Sequence, residues 1–500
     1  MKVKLILMLG VLLLPVSAAM AAPPALWIKS YGTSGWERGM SAAPTRDNGY
    51  IVVGGYSSTG NPADRDFLAI KLDSMGNVQW SKAYDGGGEE RAISVQQTSD
   101  GGYIVAGFRA GTSGDPTTRD AWIMKLDQNG GVEWEYTFDG GNNQRDEAYS
   151  VIQTSDGGYA FTGFTTLPPP LGIPVAWIVK LDETGSVEWA YEYIENSGGT
   201  MGTQIAELPD GSFAVTGVWV GTGPDYDVLF LKVSSSGSVQ AAYRYGTTTA
   251  NEMAFPILPL PDGYLIAGNT SAAPIGGNWD ALVMKLDSDA TLRWALAYGG
   301  SGEEVFTSLW PVPNGALVSG GTNSFGNGGY DSYLLKIDTT GSIVWDRTYG
   351  GTSDEGSSRS FPFNFAIAQF GATLSYGAGS FDVWGLNVDR YGLIPDCDLI
   401  TDPDTETELL SLDQVDLSPS ISASDIKDSI SRNAPTVNVD DLTLEVNDQC
   451  QYLPVGGKLL PPMSPLEARD QAWDLIFPLA LILALFLILA SALLIRNRRR

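Results

Sequence analysis

The sequence predicts an all-β fold: a seven-bladed β-propeller of four-stranded antiparallel blades, with an N-terminal strand closing the last blade and a transmembrane helix at the C terminus. Three observations carry this prediction. One motif is written seven times in register over more than 300 residues, each copy holds two hairpin signals, and an apolar run of 20 residues lies near the C-terminal end.

Reading from the N terminus, Lys2 and Lys4 precede an apolar stretch over 5–16 and then small residues that include Ser17, Ala18, Ala21 and Ala22. A basic start, a short apolar core and a small-residue cleavage site describe a secretory signal peptide over 1–22. The remainder is therefore expected to be exported.

Residues 23–395 hold the repeat. A lysine recurs at Lys71, Lys125, Lys180, Lys232, Lys285 and Lys336, with Asn387 in the seventh place, at spacings of 54, 55, 52, 53, 51 and 51. Nine residues after these lysines stand Trp80, Trp134, Trp189, Ala241, Trp294 and Trp345, and Trp27 supplies one more such tryptophan ahead of the first lysine. Five residues before the column stand Asp66, Asp120, Val175, Asp227, Asp280, Asp331 and Asp382.

Each unit contains two hairpins. The first turns at Asp47-Asn48-Gly49, Asp100-Gly101-Gly102, Asp156-Gly157-Gly158, Asp210-Gly211, Asp262-Gly263 and Asn314-Gly315, where Asp-Gly and Asn-Gly supply the positive φ of a tight turn. The second turns at motifs such as Asp127-x-x-Gly130. Two hairpins make four short strands. Apolar residues fall on both faces, as in Ala121-Trp122-Ile123-Met124, so each sheet is expected to be covered on both sides. Four-stranded sheets repeated at about 50 residues and packed face to face are propeller blades. The segment from Trp27 to Tyr31 matches an outermost strand yet precedes the first blade, while the seventh unit lacks its own. The N-terminal strand is therefore expected to complete the seventh blade. The alternative is an open solenoid of seven sheets.

The pattern Tyr-Gly-Gly, Glu-x-Ala-x-Ser-Val-x-Gln-Thr, Asp-Gly-Gly-Tyr-x-x-x-Gly and Asp-Ala-Trp-x-x-Lys-Leu-Asp resembles the surface β-propeller repeats of secreted bacterial and archaeal proteins. It is carried best by 84–134 and 138–189, and the resemblance covers 27–395. Ser234 and Ala241 depart from it in the fourth repeat, and Phe370-Gly371 in the seventh. The resemblance implies an extracellular propeller and no single activity. Asp182-x-x-Gly185-x-x-x-Trp189 is similar to the Trp-bearing repeats of pyrroloquinoline-quinone dehydrogenases, but its turn is one residue shorter and no adjacent cysteine pair accompanies it. Such enzyme likenesses rest on blade architecture, and fold is not function.

Composition narrows the chemistry. The chain has no histidine, so no Ser-His or Cys-His pair and no imidazole metal site can form. With 58 Asp+Glu against 30 Lys+Arg and a net charge of −28, it is unsuited to sequence-independent binding of nucleic acid. One carboxylate column remains as a candidate site. Glu37, Glu90, Glu304 and Glu355 stand ten residues after a tryptophan, with Glu252 and Glu147 in the same place after small insertions. They fall in the connections between blades, which gather around one mouth of the central channel. They either form a carboxylate rim that binds a cation such as Ca²⁺ or a basic ligand, or accept hydrogen bonds from their own glycine-rich crossovers. The Asp66 column is expected to tie down a neighbouring loop, and the lysine column to place its ammonium near a carboxylate.

Residues 396–470 change character, with 14 acidic residues between Asp396 and Cys450 against Lys427 and Arg432. They read as a small acidic module or stalk bracketed by Cys397 and Cys450, the only cysteines, which should pair outside the cytoplasm. In 471–500 the apolar run 476–495 is closed by Arg496, Arg498, Arg499 and Arg500, with Trp473 at the expected interface. It reads as a transmembrane helix with a basic cytoplasmic tail. The tail resembles the C-terminal sorting signals of bacterial and archaeal surface proteins. The sequence thus describes a non-catalytic surface propeller serving as a binding, adhesion or scaffold module, needing no cofactor, with an unidentified protein or glycan ligand. The alternative is an extracellular glycan or peptide hydrolase or lyase using carboxylates at the channel mouth.

Overall fold

A computed structural model describes residues 25–452 except 111–117, 141–144, 197, 222–224, 273, 364–365, 419–420, 426, 428–430, 434–437 and 443. The expected signal peptide and transmembrane helix lie outside the described residues. Among the described residues no helix is long and apolar enough to cross a membrane.

Seven antiparallel sheets form the blades, each running from an inner strand out to a fourth. Blade 2 shows the pattern: Glu90–Gln97, Tyr103–Ala110, Arg119–Leu126 and Val132–Asp139. The N-terminal strand Leu26–Gly32 pairs with Asp382–Asp389 and so becomes the fourth strand of blade 7, with Trp27 opposite Asn387. Both termini of the repeat thus share one sheet. The closure is cemented by Trp27, Tyr31, Phe361 and Phe370 of blade 7, packed on Tyr50, Val52 and Leu68 of blade 1. The apolar run Ala121-Trp122-Ile123-Met124 is fully buried on both faces. Ile123 faces the blade 3 side with Phe161 and Trp177, while Trp122 and Met124 face Val53 and Phe67 of blade 1.

The repeated motifs are the fastenings of this ring. Every inner strand carries a β-bulge, after Gly39 in blade 1 and after Ala92 in blade 2. The bulge presses a carbonyl into the second strand. A Cβ on Gly107 would lie 1.8 Å from the Arg91 oxygen, and one on Gly320 would lie 1.7 Å from the Val305 oxygen, so only glycine fits there. The motif Asp-Gly-Gly-Tyr-x-x-x-Gly ends on that residue for this reason. The buried lysines staple the two hairpins of a blade together, with Lys71 2.7 Å from Asp47, Lys125 2.8 Å from Asp100 and Lys285 2.6 Å from Asp262. In blade 7 Asn387 instead donates to the Ala25 carbonyl at 2.7 Å.

Neighbouring blades are latched by the tyrosine of Tyr-Gly-Gly. Tyr31, Tyr84, Tyr193 and Tyr349 donate to the carbonyls of Gly76, Gly130, Gly237 and Gly392 in the next blade at 2.8–2.9 Å, and Tyr245 and Tyr298 do the same to Ala290 and Gly341. Nearer the channel, Ser94 Oγ accepts from Val151 N and Ser308 Oγ accepts from Ser360 N, both at 3.1 Å. The serine of Ser-Val-x-Gln-Thr therefore stitches one inner strand to the next.

Residues 396–452 differ from expectation. They form no separate module. The chain turns back and circles the ring, adding a fifth antiparallel strand to every blade in reverse order. Ile400–Thr401 joins blade 6, Glu406–Leu409 blade 5, Asp413–Asp416 blade 4, Ile421–Asp425 blade 3, Ser431–Asn433 blade 2, Asn438–Asp441 blade 1 and Glu445–Tyr452 blade 7. The physical reason is the outer strand of each blade, which would otherwise offer a row of unpaired backbone groups along a sheet edge. Leu410, Leu417 and Leu442 each donate a backbone N–H to an outer strand, and Leu417 is buried against it. The side chains of Glu406–Leu409 face solvent. The predicted Cys397–Cys450 disulfide is present and clasps the two ends of this belt.

Candidate functional site

The predicted glutamates open the inner strands of blades 1, 2, 3, 5, 6 and 7, at the blade-to-blade crossovers. They do not form an accessible rim. Glu37, Glu90, Glu147, Glu252, Glu304 and Glu355 are all at most 1 % exposed, because the following blade covers each crossover. Four of them serve their own crossover. Glu37 accepts from Thr33 N at 3.1 Å, Glu252 from Thr247 N at 3.0 Å, Glu304 from Gly300 N at 3.1 Å and Glu355 from Gly351 N at 2.6 Å. A threonine of the second strand adds a bond in three blades, from Thr270, Thr322 and Thr373. Glu147 instead stands one position later, where blades 1 and 2 carry Arg38 and Arg91, and is held by Arg119 at 2.8 Å and Arg145 at 2.5 Å, while Asp146 takes the junction place and accepts from Gly140 N at 3.1 Å. Glu90 has no hydrogen-bond partner on either carboxylate oxygen. In blade 4, which lacks the glutamate, Thr200 bridges the crossover between Tyr193 O and Ala176 N.

The aspartate column meets the glutamate column inside these junctions. Asp280 and Asp331 accept from backbone amides of their own loops, Ile275 N at 3.1 Å and Asn327 N at 2.8 Å, as expected of loop-tying groups. Their other oxygens, with those of Asp227 and Asp382, are buried without a hydrogen-bond partner. A Cβ built on Gly350 would lie 1.5 Å from Asp331 Oδ1 and 2.8 Å from Glu355 Oε2. The first glycine of Tyr-Gly-Gly is thus the gap into which a carboxylate pair fits. Burial pushes Glu37 and Asp331 up to about 7 and Asp280 up to about 6.

Where the ring departs from sevenfold equivalence is in its arginines. Arg38 and Arg91 follow the glutamate in blades 1 and 2, at a position taken by Glu147, Met201, Met253, Val305 and Gly356 elsewhere. Arg359 takes the place of the stitching serine in blade 7. Arg65 lies 4.1 Å over the Trp36 ring, and Arg119 lies 4.2 Å over Phe108. Glu89 gathers Arg65, Arg91 and Arg119 at 3.6, 2.8 and 2.8 Å. Arg38 and Arg359 have no hydrogen-bond or ion-pair partner among the described residues. Their strands are joined beside them, where blades 7 and 1 meet, by Ser358 Oγ donating to Gly39 O at 2.8 Å. Desolvation lowers the pKa of both guanidinium groups, and the charge of Arg91 lowers Arg38 further. The sequence held this signal: basic residues at one column of adjacent repeats in a strongly acidic chain.

The bulge residues Met40, Ile93, Tyr149, Thr203, Phe255, Thr307 and Ser358 are half-buried along the inner strands and vary in chemistry from blade to blade. Among the described residues, the one group of three carboxylates placed to share an ion is Asp66, Asp85 and Glu90.

No protein-family model and no curated protein matches the chain. Among solved structures, it is similar to a protein of unknown function from Dyadobacter fermentans DSM 18053, at 9% identity and a TM-score of 0.43, over 74% of this chain and 100% of that one.

Proposed function

We propose that the protein is an exported, surface-held and non-catalytic propeller that binds an oxyanion-bearing ligand at the channel mouth on the side of blades 7, 1 and 2. The observation that carries this reading is the Arg38–Arg359 pair: two guanidinium groups without counter-ions, on adjacent inner strands, in a chain of net charge −28. A guanidinium offers five donors in a planar fork suited to carboxylate, sulfate or phosphate oxygens. An acidic protein that keeps such groups uncompensated in its channel is built to receive negative charge there.

Export and surface anchoring are supported by the leader-like 1–22, by the apolar run 476–495 with its arginines, and by the disulfide. The absence of histidine supports a non-catalytic role, as does the burial of every glutamate in the column, since a carboxylate closed off by the next blade cannot touch a substrate. The test is a glycan array probed with the full-length protein, comparing uronate- and sulfate-bearing glycans with neutral ones. Retention of acidic glycans, weakened about tenfold or more by Arg38→Ala with Arg359→Ala, is the expected result. Equal retention of neutral glycans, or binding indifferent to the two substitutions, overturns the reading.

A further inference from the structure

The junction between blades 1 and 2 is unlike the other four that carry the glutamate, and this difference is independent of the channel arginines. At the ends of the outer strands of blades 4, 5, 6 and 7 stand Gly246, Gly299, Gly350 and Gly32, five residues after the tryptophan position. A Cβ at any of these would strike the junction aspartate, at 1.3–2.9 Å from its Oδ1. The same position in blade 1 is Asp85. A third carboxylate has therefore been placed where the repeat otherwise demands no side chain at all.

The result is a cluster of Asp66, Asp85 and Glu90, each offering one oxygen, all within 4.8 Å of one another. Glu90 is fully buried, and neither of its oxygens has a hydrogen-bond partner. The Gly86 amide faces its carboxylate but falls outside hydrogen-bonding geometry. Blade 2 repeats the substitution with Asp139, but the junction carboxylate there is Asp146, whose Oδ2 accepts from Gly140 N at 3.1 Å, whereas neither oxygen of Glu90 accepts a hydrogen bond. At the first junction the cation on hand is Arg109. Its Nη2 donates to the Gly86 carbonyl, its ring-facing side lies 5.6 Å over Trp122, and it makes no hydrogen bond to Glu90.

We propose that Asp66, Asp85 and Glu90 bind a divalent cation of the Ca²⁺ class that ties the crossover between blades 1 and 2. Oxygen-only donors select a hard cation. Ligand oxygens up to 4.8 Å apart match a shell of about 2.3–2.6 Å radius, with remaining positions open to water. Asp85 also accepts from Gly87 N at 2.7 Å, which fixes its carboxylate ahead of binding. The site lies in the same junction layer as Glu37, Glu252, Glu304 and Glu355, which hold themselves by hydrogen bonds from their own crossovers.

The test uses EDTA-stripped full-length protein titrated with CaCl₂ and, separately, MgCl₂, followed by calorimetry and thermal melting. One Ca²⁺ per chain with a Kd on the order of 10⁻⁵–10⁻³ M is expected, and about 10 mM Ca²⁺ should raise Tm by roughly 2 °C or more. Asp85→Gly restores the residue found at four other junctions, so folding is retained, and it should weaken binding about tenfold or more. Glu90→Gln should do the same, while Glu304→Gln at another junction should leave affinity unchanged. Absence of both heat and Tm shift with either cation, or equal affinity in wild type and Asp85→Gly, overturns the proposal. Loss of cation binding leaves the glycan-array outcome untouched, and the reverse holds as well, because the two sites share no residue.

Discussion

Phe138 is the single residue at which the interblade latch is missing. Its six counterparts are tyrosines whose hydroxyls reach a turn carbonyl in the next blade. Phe138 is fully buried at the same register, with Gly185 in the turn ahead of it. Phe138→Tyr should therefore add a seventh bond and stabilise the ring by about 0.5–1.5 kcal/mol, and Tyr84→Phe should destabilise it by about 1 kcal/mol or more because the Gly130 carbonyl loses its donor. Urea unfolding of the two variants checks both signs. A destabilised Phe138→Tyr would mean that blades 2 and 3 pack too closely for the hydroxyl. The carboxylates make a second claim at this scale. Glu37 and Asp331, at about 7, and Asp280, at about 6, lie above their unfolded values because burial penalises the charge. Groups raised in this way lend stability that is full below pH 4 and lost as pH climbs through 6–7. Asp100 is held down at about 2, despite burial, by Lys125, Thr98 and Gly102, and its contribution disappears only below pH 4. Stability should therefore peak near pH 4–5 and decline toward pH 8. Denaturation midpoints that rise between pH 5 and 8 in EDTA would contradict the buried carboxyl pairs.

At the scale of elements, the turn at Ala290 and the belt show where sequence is readable and where it is not. Ala290 sits at φ 65°, a region its counterparts Gly76, Gly130, Gly185, Gly237, Gly341 and Gly392 occupy without a Cβ penalty. Ala290→Gly should relieve about 1 kcal/mol of backbone strain, partly offset by the flexibility it adds to the unfolded chain, so a small rise in Tm is expected. The blade strands were legible because each pairs tight-turn chemistry with apolar residues on both faces, and because Lys71, Trp80 and Asp66 each repeat with a packing duty. The closing strand at Trp27 was legible from phase alone. The belt was not. Its strands run two to eight residues, and Ile400, Thr407, Gln414, Ala423, Arg432, Val439 and Val446 show no common chemistry although each stands opposite the same outer-strand aromatic position. The legible trace was Leu410, Leu417 and Leu442, spaced to keep step with the blades. The glutamate column was legible as a column, but whether its carboxylates faced water or the next blade depended on packing that spacing does not encode.

At the scale of the whole molecule, the belt and its disulfide turn the ring into a hooped drum. Cys397 precedes the first belt strand and Cys450 lies within the last, so the covalent loop between them passes every blade. The chain-entropy contribution of closing a loop of about 53 residues is roughly 4 kcal/mol. A hoop does something further, because no blade can splay outward while its fifth strand is part of a closed loop. Opening the clasp should therefore act unevenly. The two-residue strand Ile400–Thr401 and the three-residue Ser431–Asn433 hold few ladder bonds, whereas Glu445–Tyr452 pairs with Leu26–Gly32 over seven positions. In Cys397→Ser with Cys450→Ser, hydrogen exchange should accelerate first across 400–433 and at the outer strands beneath, such as Leu292–Gly299 and Ile343–Tyr349, while 445–452 and the inner strands stay protected. Tm should fall by several degrees. Uniform acceleration over the whole ring would show that the clasp stabilises only through the unfolded chain, and that the belt is held by its ladders alone.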